Sequence, residues 1–213
     1  MGAESVKKGS EKKIRRFFKA LFARKIVIVG FVGMLFFVFI AVFADVLAPY
    51  DPNETDFMSS LSGMSREHLL GTDSFGRDTL SRIIYGSRVS LMVGVVSVLV
   101  AAVIGTLLGT AAAYFGGWCD TLIMRFCEAL YAIPGTVLSL SLIAVFGGGF
   151  GNLALILGLT SIPGFIRMMR SSALSVKGLD YVVASRLQGN TGFGTMVKHI
   201  IPNAVSPIIV MST

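Results

Sequence analysis

This 213-residue sequence is short of charge. Only 15% of its residues are Asp, Glu, Lys or Arg, whereas 54% are hydrophobic. A soluble core needs a charged surface around it, so this balance excludes an ordinary soluble domain and indicates a membrane protein. Histidine is restricted to His68 and His199, both outside the apolar runs, and His68 reads as a surface residue rather than a ligand. Cysteine is restricted to Cys119 and Cys127, with no CxxC spacing and no metal partner beside them, so they read as two buried thiols. The phosphate-cradling GxxxxGK[ST] pattern is missing, so this chain is not expected to hydrolyse ATP itself. A nucleophile–base pair or metal cluster within the apolar runs is missing too, which argues against a membrane-embedded enzyme. Nor do those runs carry the midplane ionisable residues usual in channels and self-powered secondary transporters.

The formal charge is +7, but its placement excludes nucleic-acid binding. Lys7, Lys8, Lys12, Lys13, Arg15, Arg16, Lys19, Arg24 and Lys25 all precede the first apolar run. Basic residues beside a span fix its orientation and place the N-terminus in the cytoplasm. Residues 1–25 form a basic head in which Ile14, Phe17, Phe18, Leu21 and Phe22 share one helical face. That pattern suits an amphipathic helix on an anionic membrane surface. A solvated tail that only sets topology fits equally well. A cleaved signal peptide fits less well: the next apolar run is long, although Val42-Phe43-Ala44 could pass as a weak cleavage site.

Residues 26–44 carry no charge and are long enough for a first span. Residues 45–87 follow on the outside, and residues 26–87 make one unit of span plus extracytoplasmic segment. This segment is rich in acids (Asp45, Asp51, Glu54, Asp56, Glu67, Asp73, Asp78), opposed only by Arg66, Arg77 and Arg82. Pro49 marks a turn. Thr72 or Asp73 can cap a helix start, and Leu80, Ile83 and Ile84 suggest a short helix at the outer interface. Residues 89–115 form a second span, where Gly105 and Gly109 permit close helix contact. Gly116-Gly117-Trp118 is a tight turn with an interfacial aromatic.

The third span begins with Asp120, Arg125 and Glu128. These residues are open to two readings, a polar site in a transport path or an interfacial ion pair that fixes helix position. Pro134-Gly135 interrupts this helix, as happens where broken helices line cavities. Residues 129–146 complete it, and three glycines, Gly147 to Gly149, make the outer turn. Residues 153–169 form a fourth span with a Pro163-Gly164 interruption near its inner end.

By span parity the chain is then cytoplasmic, and Arg167, Arg170, Lys177, Arg186 and Lys198 against Asp180 alone agree with that side. Residues 170–203 are too long for a mere connection. Residues 179–188 read as a short helix ended by Gly189 in a left-handed turn, and residues 191–200 as a second, stopped by Pro202. Ala184 and Ser185 leave room for another backbone, while Val182, Val183 and Leu187 supply apolar contact.

These residues carry a resemblance. The chain resembles permease subunits of ABC importers of the dipeptide/oligopeptide branch. Their cytoplasmic loop follows the pattern Glu-Ala-Ala, three residues, Gly, nine residues, Ile, one residue, Leu-Pro. Gly189 and Pro202 match the glycine and proline, and Ala184 the first alanine. Val183 stands where Glu is usual, Ser185 where the second Ala is usual, His199 where Ile is usual and Ile201 where Leu is usual. His199-Ile200-Ile201-Pro202-Asn203 is typical of the branch. So are Gly71-Thr72-Asp73 with Gly76-Arg77-Asp78, and Phe115-Gly116-Gly117-Trp118 with Asp120, Met124-Arg125 and Pro134; Glu128 replaces the commoner Asp.

The resemblance implies an all-α polytopic helix bundle of the type I ABC importer fold, here four complete spans plus the start of a fifth, with residues 88–213 as permease core. It implies a second homologous permease, two cytoplasmic ATPases, an extracytoplasmic solute-binding protein and the lipid bilayer as partners. ATP and Mg would bind the ATPases, with no cofactor in this chain. The chain would be a multi-pass protein of the bacterial cytoplasmic membrane, not an enzyme, translocating peptides, or nickel, glutathione or opine-like solutes, by alternating access. Val183, Ala184, Ser185, Gly189, His199 and Pro202 would form the ATPase-coupling loop. Residues 204–213 begin another apolar segment of only ten residues, about 15 Å of helix, so either a fragment or a C-terminally truncated permease is expected.

Overall fold

A computed structural model describes residues 25–213, so the basic head at residues 1–24 lies outside the described residues. Among these the architecture is all-α, with no strand beyond one isolated bridge between Thr72 and Asp78. Two compact units meet at residue 91 and are described in turn.

The first unit opens with α1, Lys25–Val42, whose apolar side chains are almost all exposed. Its 18 residues rise about 27 Å, close to the ~30 Å hydrocarbon thickness. A single turn at Ala44–Leu47 follows. Asp45 in that turn accepts from the Tyr85 hydroxyl at 2.9 Å and from Arg88 at 3.1 Å. The Tyr85 hydroxyl beside it is the main reason its carboxyl sits below the usual range.

Residues 48–78 fold as a cap around two carboxylates. Asp73 accepts from the backbone of Phe75 (2.8 Å) and Arg77 (3.1 Å), from the Arg77 side chain (2.9 Å), and from Arg82. Desolvation pushes Asp73 up, but these N–H groups and the Arg77 guanidinium outweigh it and bring the carboxyl to about 2. Asp78 is buried and accepts from the Ser81 N–H and hydroxyl, both at 2.8 Å, and from His68 at 3.0 Å. Burial raises Asp78, yet the Ser81 donors and His68 hold it below its ordinary value. His68 is therefore a tether of the cap, stacked 5.0 Å from Tyr50, and not the plain surface residue expected. Gly76 (φ +73°) cannot carry a side chain, because a Cβ would run into the Asp56 carbonyl.

The long helix α2, Thr79–Phe115, begins in this unit and ends in the second. Two expectations change here. The separate interfacial helix around Leu80–Ile84 is instead the first turns of α2, and the cap is Asp78, which binds the N–H three residues on, rather than Thr72 or Asp73.

In the second unit α2 packs on α5, Phe150–Lys177. Lipid offers no hydrophobic drive between helices, so close backbone approach must supply the packing. Gly105 lies against Phe165 and Ile166, Gly109 against Ile166, Met169 and Arg170, and Gly158 against Ser97 and Val100. The Ser97 hydroxyl also donates to the Ala154 carbonyl at 2.9 Å. The buried core runs along this seam and down to the inner helices: Ala101, Phe165, Ile166, Met169, Ala173, Val182, Ile200 and Ala204. Cys127 is buried within it and Cys119 half-buried, without a disulfide. The expected interruption at Pro163 does not occur. Pro163 is buried within α5, which continues unbroken through it.

Between them lie α3, Gly117–Tyr131, and α4, Gly135–Phe146, which meet at 85°. Pro134 disfavours helical geometry at Ile133 and cannot donate, so α3 stops and the chain restarts at Gly135. The segment expected as the third crossing is thus an elbow of 15 and 12 residues. Three described helices, α1, α2 and α5, have the length and apolarity to cross a bilayer, and the elbow makes a fourth if it counts as one span.

Candidate functional site: an interhelical wedge at residues 180–204

The stretch after α5 folds as two helices meeting at a corner. The loop begins later than expected, because α5 continues helical to Lys177. Helix α6, Asp180–Leu187, has Asp180 in its first turn, where a negative charge suits the exposed N–H groups. It ends at Gly189 (φ +79°). The Gly189 N–H donates to Arg186 (3.0 Å) and the Asn190 N–H to Ser185 (3.3 Å), closing a Schellman turn. Thr191 then caps α7, Gly192–Thr195, by accepting from the Gly194 N–H at 3.1 Å.

The second arm does not stop at Pro202. It widens into a π-helical turn, Met196–Ile200, and continues as Ile201–Ala204. A proline ring clashes with the carbonyl four residues back and offers no N–H. A wider turn just before Pro202 is the local backbone's way round both. Asn203 supports it by donating to the His199 carbonyl at 2.7 Å, and the Ser172 hydroxyl of α5 donates to Ala204 at 2.7 Å. Helix α8, Ser206–Met211, follows.

The structure divides the expected loop residues between two duties. Val183 and Ala184 are exposed on α6, Gly189 at the corner and Pro202 on the second arm, while His199 is half-buried. Ser185 faces inward: Asn190 donates to its hydroxyl at 3.0 Å, and Thr195 lies 3.4 Å away, a buried polar link between the arms. Val182 is also fully buried, so Ser185 and Val182 hold the wedge together and do not form its free face as expected. The free face of α6 is Tyr181, Val183, Ala184 and Leu187. Leu187 is 84% exposed and Val183 42% exposed, so apolar side chains point outward here.

The second expected group separates. Arg125 donates to Glu128 at 2.9 Å, and both are well exposed on α3. Asp120 does not join them. It takes a two-pronged bond from Arg170 of α5, with Nε and Nη2 each 2.5 Å from a carboxylate oxygen. Such forked charge-assisted pairs are the stronger kind. A second tie joins the far end of α3 to α5, where the Arg167 guanidinium lies 4.3 Å from the Tyr131 ring centre. The pairings of Arg170 and Arg167 escaped the sequence reading, which used them only as charge, because their partners are fifty and thirty-six residues earlier. The available signal was two arginines inside a helix otherwise apolar enough to span.

Inside the elbow of α3 and α4 is a cavity of about 400 Å³, lined by Ile104, Leu108, Phe126, Leu142 and Leu159 among others. Its walls are apolar apart from Thr160. No group of three or more His, Cys, Asp or Glu able to hold a metal occurs among the described residues.

Residues 105–213, just over half the chain, match the model of binding-protein-dependent transport system inner membrane components. The chain belongs to that family of membrane-embedded transport permeases. Residues 13–63 match the N-terminal transmembrane domain of oligopeptide transport permease C. A glutathione transport system permease protein from Pectobacterium atrosepticum is 39% identical over 197 residues, 92% of this chain and 65% of the relative. A dipeptide transport system permease protein from Alkalihalophilus pseudofirmus is 38% identical over 199 residues, covering 93% and 66%. The chain therefore spans just under two thirds of the length of these curated relatives.

Proposed function

We propose that the chain is a permease subunit of an ATP-driven importer, moving short peptides or similar solutes across the bacterial cytoplasmic membrane by alternating access. It lies in the inner membrane with its N-terminus in the cytoplasm, and it catalyses no reaction. It pairs with a second homologous permease, receives solute from an extracytoplasmic binding protein, and takes its energy from two cytoplasmic ATPases that hold ATP and Mg. The wedge at residues 180–204 docks one ATPase.

The observation that carries this reading is the wedge. It is a capped, internally hydrogen-bonded corner with an exposed apolar face, rooted in the same core as α2 and α5. A docked element must be this rigid to bias two arrangements of a bundle. The names of the relatives support the solute class, a dipeptide for one and glutathione, itself a short peptide, for the other. The resemblance of the wedge to the Glu-Ala-Ala loop supports the partner. Val183 in place of Glu makes this contact apolar rather than ionic.

Uptake in proteoliposomes tests the proposal. Glutathione or a dipeptide should accumulate only when the second permease, the ATPases, the binding protein and ATP are all present. Accumulation by the permeases alone would refute it and favour a self-powered transporter.

A further inference from the structure

The wedge is joined to α2 through one aromatic ring. Tyr114 is the penultimate residue of α2, and both arms of the wedge meet it. From α6, the Arg186 guanidinium lies 4.4 Å from the ring centre, well inside cation–π range. From α7, Gly192 sits so close that an added Cβ would lie 3.0 Å from Tyr114 Cε1 and 3.5 Å from its hydroxyl oxygen. Arg186 has no other hold at these atoms: its Nε and Nη2 are buried without a hydrogen-bond partner. What faces the charge is the Tyr114 ring, at the C-terminal end of α2. Lys177 uses the same end, donating to the Ala113 carbonyl at 2.8 Å.

We propose that Arg186, Tyr114 and Gly192 form the clasp through which a docked ATPase moves α2. These are positioning residues, and the inference rests on the proposed docking of an ATPase to the wedge. Arg186 leaves the α6 face that a partner can touch and turns inward, so its role is transmission and not docking. From Tyr114 the motion enters a helix already seated on α5 through Gly105 and Gly109, so α2 and α5 shift as one body. The ring is the joint because its flat face keeps contact with a planar guanidinium as the two elements slide, a geometry that an ammonium does not reproduce.

The test uses the transporter purified from its native membrane through a tag on this chain, so that it carries its own ATPases. Cys119→Ser and Cys127→Ala remove the native thiols, and Leu138→Cys reports from the elbow cavity. The readout is the ratio of maleimide labelling rates with and without ATP and vanadate, alongside the amount of co-purified ATPase. Tyr114→Phe keeps the ring and should keep the ratio. Tyr114→Leu and Arg186→Gln should retain the ATPases yet bring the nucleotide-driven ratio down roughly fivefold or more. Arg186→Lys and Gly192→Ala should each shrink it as well, and they read the same quantity should Tyr114→Leu fail to accumulate. An unchanged ratio in Tyr114→Leu or Arg186→Lys overturns the clasp, as does loss of the ATPases in Arg186→Gln, which would put Arg186 in the docking surface. Failure of the unsubstituted chain to co-purify any ATPase would instead sink the docking proposal itself.

Discussion

Replacing Gly109 with alanine should destabilise the bundle, and the same change at Gly94 should not. Both glycines lie within α2, so helix propensity alone favours alanine at each by about 1 kcal/mol. At Gly94 nothing lies within 4 Å of the new methyl. At Gly109 the methyl would stand 2.6 Å from the Ile166 carbonyl oxygen, 2.8 Å from Met169 Cβ and 3.0 Å from the Arg170 nitrogen. Two of these neighbours are backbone and cannot rotate away. The helices must part by roughly 1 Å, and a gap of that size forfeits a quarter to a half of each affected dispersion contact. Overpacking of this kind costs about 1–3 kcal/mol. The propensity gain is common to both, so the two variants should differ by roughly 1–3 kcal/mol, Gly94→Ala matching or exceeding the unsubstituted chain. Unfolding measured by steric trapping in bicelles resolves such a difference. Equal stability of the two variants would refute the close α2–α5 seam.

Gly189→Val should weaken ATPase docking through strain alone, about 1–3 kcal/mol, because φ is +79° and no atom stands within 4 Å of the added Cβ. Asn, which tolerates this region, should fall between Gly and Val in a titrated pull-down. Asp120→Ala strands the Arg170 fork and should lower thermal stability by roughly 1–3 kcal/mol, whereas Glu128→Ala on the exposed face of α3 should change little. The cap should respond to acid in a defined window. Asp73 and Asp78 have folded pKa values below their unfolded ones, so their stabilisation is present above about pH 4 and is lost as pH falls below that, for Asp73 toward about 2. Hydrogen exchange at residues 56–78 should accelerate across that window, and Asp73→Asn should show the fast exchange already at neutral pH.

The broad architecture was legible because lipid forces it. Uncharged runs near twenty residues must be helices in a bilayer, and proline and glycine at 134–135 mark where one breaks. The wedge was legible for a local reason: Gly189 needs a left-handed turn, and the sequence around it caps both arms. What escaped was whatever depends on distant partners. Nothing near Asp120 indicates Arg170, and nothing near Tyr114 indicates Arg186 or Gly192. Pro163 and Pro202 misled for one shared reason: local rules end a helix at proline, but α5 runs unbroken through Pro163 and a widened turn carries the second arm past Pro202. His68 misled because its tether, Asp78, becomes buried only once the cap has folded. Thr195 shows the same limit. It is fully buried between the arms, which its place in the second arm's sequence does not show, so a labelling probe belongs at Leu187 or Gln188.

Site-specific photo-cross-linking from Leu187 in intact cells is the most direct test of the wedge as an ATPase-docking surface. Leu187 is the most exposed apolar residue on α6, at 84%. A photoreactive residue there should capture a nucleotide-hydrolysing cytoplasmic subunit as its main adduct, and capture should change with ATP and vanadate. An adduct formed only with extracytoplasmic proteins, or modification of a cysteine at this position by an impermeant thiol reagent added outside, would contradict it.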